Sequence, residues 1–146
     1  MATSSMTLRA VIPAVFLLLL ALPVTSFACR CAGSLPPAAA YRLADTVVLG
    51  KTTAVSGDIN REGLTATVRV MQVWKRTVSP EIVVSTTTTC AFSFQANQEY
   101  LLYLSWEPHS RRYTTKACVG NQLIAAADQA LRWLKKYGRS VALSPG

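Results

Sequence analysis

Cys29-Arg30-Cys31 stands where an apolar leader meets the rest of the chain. If the leader is cut after Ala28, Cys29 becomes the first mature residue and carries a free α-amino group. An amine and a carbonyl oxygen held side by side on one residue form a ligand pair for a metal ion. A chain start normally frays, so this chemistry needs a tether. Two disulfides made from Cys29 and Cys31 would supply one by pinning the terminus to the domain body.

Other chemistry is sparse. His109 is the single histidine, and Glu107-Pro108-His109-Ser110 reads as an exposed polar turn. No second histidine supports a triad, no nucleophile stands paired with a base, and the seven carboxylates are scattered. An enzyme is therefore not expected, and no cofactor is implied. Tyr100, Tyr103 and Trp106 read as core or barrel-face packing rather than base-stacking platforms.

The leader, residues 1–28, has one charge at Arg9, the apolar run Ala10 to Leu22, then Pro23 and small residues at Ser26 and Ala28. That is the pattern of a secretory signal peptide. An uncleaved anchor would need about 20 apolar residues to span a bilayer, and Pro13 interrupts this shorter run. Lipidation of Cys29 fits poorly with Phe27 just before the cut. The expected destination is extracellular or periplasmic, with no stable membrane insertion after cleavage.

The four cysteines are Cys29, Cys31, Cys90 and Cys118. An even number in a small exported domain reads as two disulfides. Pairing Cys29 with Cys31 is disfavoured by the single intervening residue. Cys29–Cys90 with Cys31–Cys118, and the crossed alternative, both remain open. Either set closes loops of roughly 60 to 90 residues, worth about 4 kcal/mol each in the chain-entropy model. A four-cysteine zinc site would need close ligand pairs, and Cys90 and Cys118 stand alone.

The formal net charge is +8 over 146 residues, and loss of Arg9 with the leader leaves +7. Such a surplus favours an acidic protein or glycan surface as partner. The basic residues are dispersed, paired only at Lys75-Arg76, Arg111-Arg112 and Lys135-Lys136. No nucleic-acid motif accompanies them.

The elements that must position the terminus can be read in order. Pro37 suits a first helical turn, and Ala38 to Ala44 favours a short helix. Thr46 to Val55 and Leu64 to Trp74 read as two strands around a glycine-bounded polar loop. The alternation of the second slips near Met71-Gln72-Val73, which marks a bulge. Glu81 to Ser85 and Arg112 to Cys118 are shorter strands. Glu99 to Trp106 is apolar on both sides and reads as central. Asn121 reads as the N-cap of a helix over Leu123 to Tyr137, with Leu131 and Leu134 buried. The expected fold is mainly β: a five-stranded OB-fold barrel with a short N-terminal helix and a C-terminal helix. A β-sandwich would usually want about seven strands. One domain over 29–138 and a loose tail at 139–146 are expected.

Together these residues resemble the netrin-like domain of tissue inhibitors of metalloproteinases. The resemblance rests on Cys29-Arg30-Cys31 at a signal cut, on Ala44-Asp45-Thr46-Val47-Val48-Leu49-Gly50-Lys51, on Cys90-Ala91-Phe92-Ser93-Phe94 before Tyr100-Leu101-Leu102-Tyr103-Leu104, and on Cys118 ahead of the last helix. It spans nearly all of Cys29 to Tyr137. It implies the pairs Cys29–Cys90 and Cys31–Cys118. It also implies a secreted inhibitor of zinc metalloendopeptidases. In that role the Cys29 amine and carbonyl bind the partner's zinc, whose open coordination position normally holds water. An unperturbed α-amino group titrates at about 7.7–8.0, so the neutral amine is accessible near neutral pH. Arg30 enters the pocket beside the metal, and Cys31, Ala32, Thr88, Thr89 and Cys90 complete the protease-binding ridge. The alternative is a non-inhibitory netrin-like module that binds an extracellular protein or glycan.

Overall fold

The computed structural model describes residues 29, 31, 33, 35–87 and 89–145. The expected signal peptide at 1–28 and the site positions Arg30, Ala32 and Thr88 lie outside the described residues.

Helix α1 (Pro37–Leu43) begins on its proline, whose missing N–H costs nothing in a first turn. It stops where Ala44 turns extended, at ψ 146°. The Lys75 ammonium closes that end by donating to the carbonyls of Tyr41 at 2.8 Å, Arg42 at 3.4 Å and Ala44. Carbonyls without helical partners are thereby satisfied by a cation at the negative end of the helix.

Strands β1 (Thr46–Asp58) and β2 (Gly63–Trp74) form a long antiparallel hairpin. Its register slips twice. Leu49 faces Gln72 while Gly50 faces Val70, which leaves Met71 as the extra residue. Thr53 is extra on the other strand. The first bulge lies where the alternation broke in the sequence. It also needs Gly50, because a Cβ there would lie 2.6 Å from Val68 Cγ1 and 2.9 Å from the Arg69 carbonyl oxygen.

Strand β3 (Glu81–Thr86) pairs with β2, and β4 (Glu99–Glu107) returns along β1. Strand β5 (Arg112–Thr115) pairs antiparallel with β4 and parallel with β3. The cycle β1-β2-β3-β5-β4-β1 is a closed five-stranded barrel with the connectivity of an OB-fold.

Two apolar clusters follow from the pleat. Val48, Val68, Val84, Leu102 and Leu104 fill the barrel. Val47, Trp74, Leu101 and Tyr103 face outward and are covered by Ala40 and Ala44 at α1 and by Ala130 and Leu134 of the C-terminal helix. Leu101 to Leu104 are all buried. A strand covered on both faces reads as a continuous apolar run, which is how Tyr100 to Leu104 appears in the sequence.

The C-terminal third departs from expectation. Strand β5 ends at Thr115 rather than Cys118, because residues 116–120 turn, with Gly120 at φ 107°, to bring Cys118 to its partner. The expected helix over Leu123 to Tyr137 is shorter: β6 (Gln122–Leu123) adds to β4, a 3-10 turn covers Ile124–Ala126, and α2 spans Asp128–Tyr137. Asn121 is no helix cap. Its Oδ1 accepts from Tyr103 N–H at 2.8 Å, and its Nδ2 donates to Thr115 Oγ1 and Lys116 O. Leu134 is fully buried, whereas Leu131 is only half-buried. After Gly138 the chain is not loose. Strand β7 (Ser140–Val141) pairs with β2, Ser144 N–H donates to Val78 O, and Leu143 packs on the barrel core.

No helix among the described residues is long and apolar enough to cross a membrane.

Candidate functional site

The disulfides are Cys29–Cys90 and Cys31–Cys118, each with Cα atoms 5.3 Å apart. They span 61 and 87 residues of sequence. The crossed pairing is excluded, and with it the zinc site, since every cysteine is bridged. Among the described residues no group of three or more His, Cys, Asp or Glu is placed to hold a metal.

Cys29, Cys31 and Thr89 are exposed, and Cys90 is half-buried. Through the first bridge Cys29 lies beside the Thr89-Cys90 turn. The Thr87 hydroxyl donates to Thr89 O at 3.0 Å, and Cys90 sits at φ 55°, which reverses the chain sharply. Ala117 N–H donates to Cys90 O at 2.8 Å and joins this turn to the loop that carries Cys118. The structure thus brings Cys29, Cys31, Thr89 and Cys90 together.

The support beneath this ridge is aromatic and threonine-rich. Phe92, Phe94 and Tyr100 meet edge to face with centroids 5.0 to 5.8 Å apart, which anchors the segment that follows Cys90. Tyr100 Oη accepts from Gln95 N–H. Next to it, the Thr52 hydroxyl donates to the carbonyls of Gln95 and Gln98, while Thr52 O accepts from Asn97 N–H. Thr52 is fully buried, and its clamp was not foreseen; a Thr at an inward position of a strand was the available signal. On the other side, the β1–β2 hairpin crowds the end of β3. Gly63 is at φ 84°, a Cβ there would collide with Thr86 O, and Thr86 Oγ1 accepts from Leu64 N–H at 2.9 Å.

A depression of about 330 Å³ lies against the second bridge, lined in part by Cys31, Gly33, Leu35, Cys118, Asn121 and Gln129. His109 is exposed in its turn, with Nδ1 3.4 Å from Glu107 Oε1. Of the three aromatics read as packing, Tyr100 and Tyr103 are buried, and Trp106 packs against Tyr113 with the rings tilted and their centroids 4.9 Å apart. Burial pushes the Tyr103 phenol up to about 12.

In comparison with known proteins, no family model matches this chain and no curated protein matches it in sequence.

Proposed function

We propose that this protein is a secreted inhibitor of zinc metalloendopeptidases, similar in action to tissue inhibitors of metalloproteinases. The chelating group is the free α-amine and carbonyl oxygen of Cys29, which displace water from the open position of the partner's zinc. Arg30 occupies the pocket beside the metal. Cys31, Ala32 and the Thr88-Thr89-Cys90 segment form the flanking contact.

One observation carries this reading: both residues that flank position 30 are bridged to a rigid barrel, Cys29 to Cys90 and Cys31 to Cys118. A terminus ordered in advance loses little freedom on binding, which leaves more of the contact energy as affinity. Two long-range disulfides also fit an oxidising compartment outside the cytosol, as secretion requires.

The test is a panel of zinc endopeptidases titrated with the secreted protein, a form extended by one alanine before Cys29, an amine-acetylated form and Arg30→Thr. Native protein should inhibit at least one member. Extension or acetylation should remove inhibition without lowering the melting temperature, because neither touches a bridge or the core. Arg30→Thr should broaden the range, since a closed apolar pocket rejects an unpaired guanidinium. Inhibition that survives acetylation would sink the chelation mechanism. No inhibition by any form would leave a netrin-like binding module.

A further inference from the structure

At the far end of α2 a second surface combines aromatic rings with cations. Tyr41 of α1, Trp133 and Tyr137 stand in a row, with centroids 5.3 and 5.5 Å apart. The Lys75 ammonium lies 5.1 Å from the Tyr41 ring centre, and the Lys136 ammonium 5.0 Å from that of Tyr137. Beside Tyr41 an open depression of about 460 Å³ is lined by Arg42, Lys75, Arg76 and Arg139, with Asp45 as its one carboxylate.

Part of this cluster is structural. Lys75 closes α1, and the Arg139 guanidinium donates to Lys75 O at 2.7 Å. The Asp45 carboxylate accepts from Trp106 N–H at 2.8 Å. Arg42 and Arg76 are exposed, and among the described residues neither belongs to an ion pair. Tyr137 is 60% exposed. A face with four cations against one carboxylate concentrates anions. Aromatic rings at its edge add flat apolar contacts, which sugar rings match through their C–H faces. The depression is open to solvent, so a polymer segment can reach its cations without entering an enclosed cavity. Two disulfides fit an oxidising compartment outside the cytosol, and there anionic polysaccharides rather than nucleic acids are the common polyanions.

We propose that this face binds an anionic polysaccharide, with sulfate or uronate groups at Arg42, Arg76 and Arg139 and sugar rings against Tyr137 and Trp133. The surface is separate from the disulfide-pinned terminus. Cys31 and Cys118 lie by Gln129 and Ala130 at the start of α2, and a helix of ten residues is about 15 Å long. The proposal does not rest on the inhibitor reading, and a protein that inhibits no protease would still test it.

The experiment measures binding of the intact secreted protein to heparin, polygalacturonate, neutral dextran and single-stranded DNA across a salt series. Arg42→Ser/Arg76→Ser, Tyr137→Ala and the equal-charge control Lys51→Ser/Arg69→Ser are compared after their melting temperatures confirm folding. Heparin or polygalacturonate should bind and dextran should not. The Arg pair should weaken binding about tenfold and flatten its salt dependence, and Tyr137→Ala should weaken it severalfold. The control should stay within about twofold. Three results would overturn the proposal: no binding to either polysaccharide, equal losses in the Arg pair and the control, or tighter binding to DNA than to both polysaccharides.

Discussion

Ala117 and Cys90 are joined by a backbone hydrogen bond of 2.8 Å, so the two loops that hold the chain start are also held to each other. The bond sits between the bridges Cys29–Cys90 and Cys31–Cys118 and makes one unit of them. In Cys29→Ser/Cys90→Ser the Ala117 amide should exchange about tenfold faster or more. The same variant should lose roughly 2–5 kcal/mol of stability. Hydrogen exchange with chemical denaturation checks both; an Ala117 amide that keeps its protection would mean that the loops are ordered independently of the first bridge.

Leu134 and Leu131 lie on one helix but differ in burial, the first fully enclosed and the second half-open. Leu134→Ala should cost about 2–5 kcal/mol, through lost transfer energy and a cavity beneath α2. Leu131→Ala should cost clearly less. Equal costs in urea unfolding would show that α2 presses on the barrel differently from this packing.

Thr52→Val keeps the shape of a side chain that is fully buried and removes the hydroxyl bonded to Gln95 O and Gln98 O. The one hydroxyl proton shared by the two carbonyls is lost, and so is the oxygen that accepts from Gln98 N–H, at a cost of about 1–3 kcal/mol; Gln98 O keeps the Thr52 N–H. Faster exchange should be confined to residues 95–98 and should not spread to the β1–β2 hairpin. A global rise in exchange would assign Thr52 a role in the barrel as a whole.

Tyr103 sets an alkaline limit. Its phenol is pushed up to about 12 by burial, against an ordinary value of 10.0. The unfolded chain releases this proton first, so stability is unaffected below about pH 10 and falls as pH rises toward 12. Its hydroxyl is buried with no hydrogen-bond partner among the described residues. Tyr103→Phe should therefore be neutral or stabilising at pH 7 and should reduce the alkaline loss. Thermal melts from pH 7 to 11 of both proteins check this, and a steeper alkaline loss in the variant would reject it.

The barrel was legible in the sequence because its strands carry their own periodicity. Leu64 to Val70 alternates, the slip at Met71 announces the bulge, and Tyr100 to Leu104 shows burial on both faces. The bridge pattern came from the resemblance, since cysteine spacing alone left two pairings open. After Arg112 legibility was partial: the helix that ends at Tyr137 and buries Leu134 was read correctly, but its start was not. Asn121 has the chemistry of a helix cap, yet Tyr103, Thr115 and Lys116 engage its amide from other elements. Leu123 fits the helical spacing of α2, yet pairing with Tyr100 takes it into a strand. Both outcomes depend on contacts distant in sequence, which local propensity cannot register. The same holds for Arg139, whose backbone N–H reaches the Tyr41 hydroxyl across 98 positions.

The bridges also impose an order on maturation. A chain that emerges N-terminus first presents Cys29 and Cys31 long before Cys90 and Cys118. For that interval two thiols one residue apart face every oxidant and every foreign thiol with no native partner within reach. Correct pairing must wait for β3 to deliver Cys90 and for the turn after β5 to deliver Cys118. Neither native bridge can therefore close until 61 residues beyond Cys29 and 87 beyond Cys31 have followed, and any earlier pairing of these two thiols has to be undone by thiol–disulfide exchange.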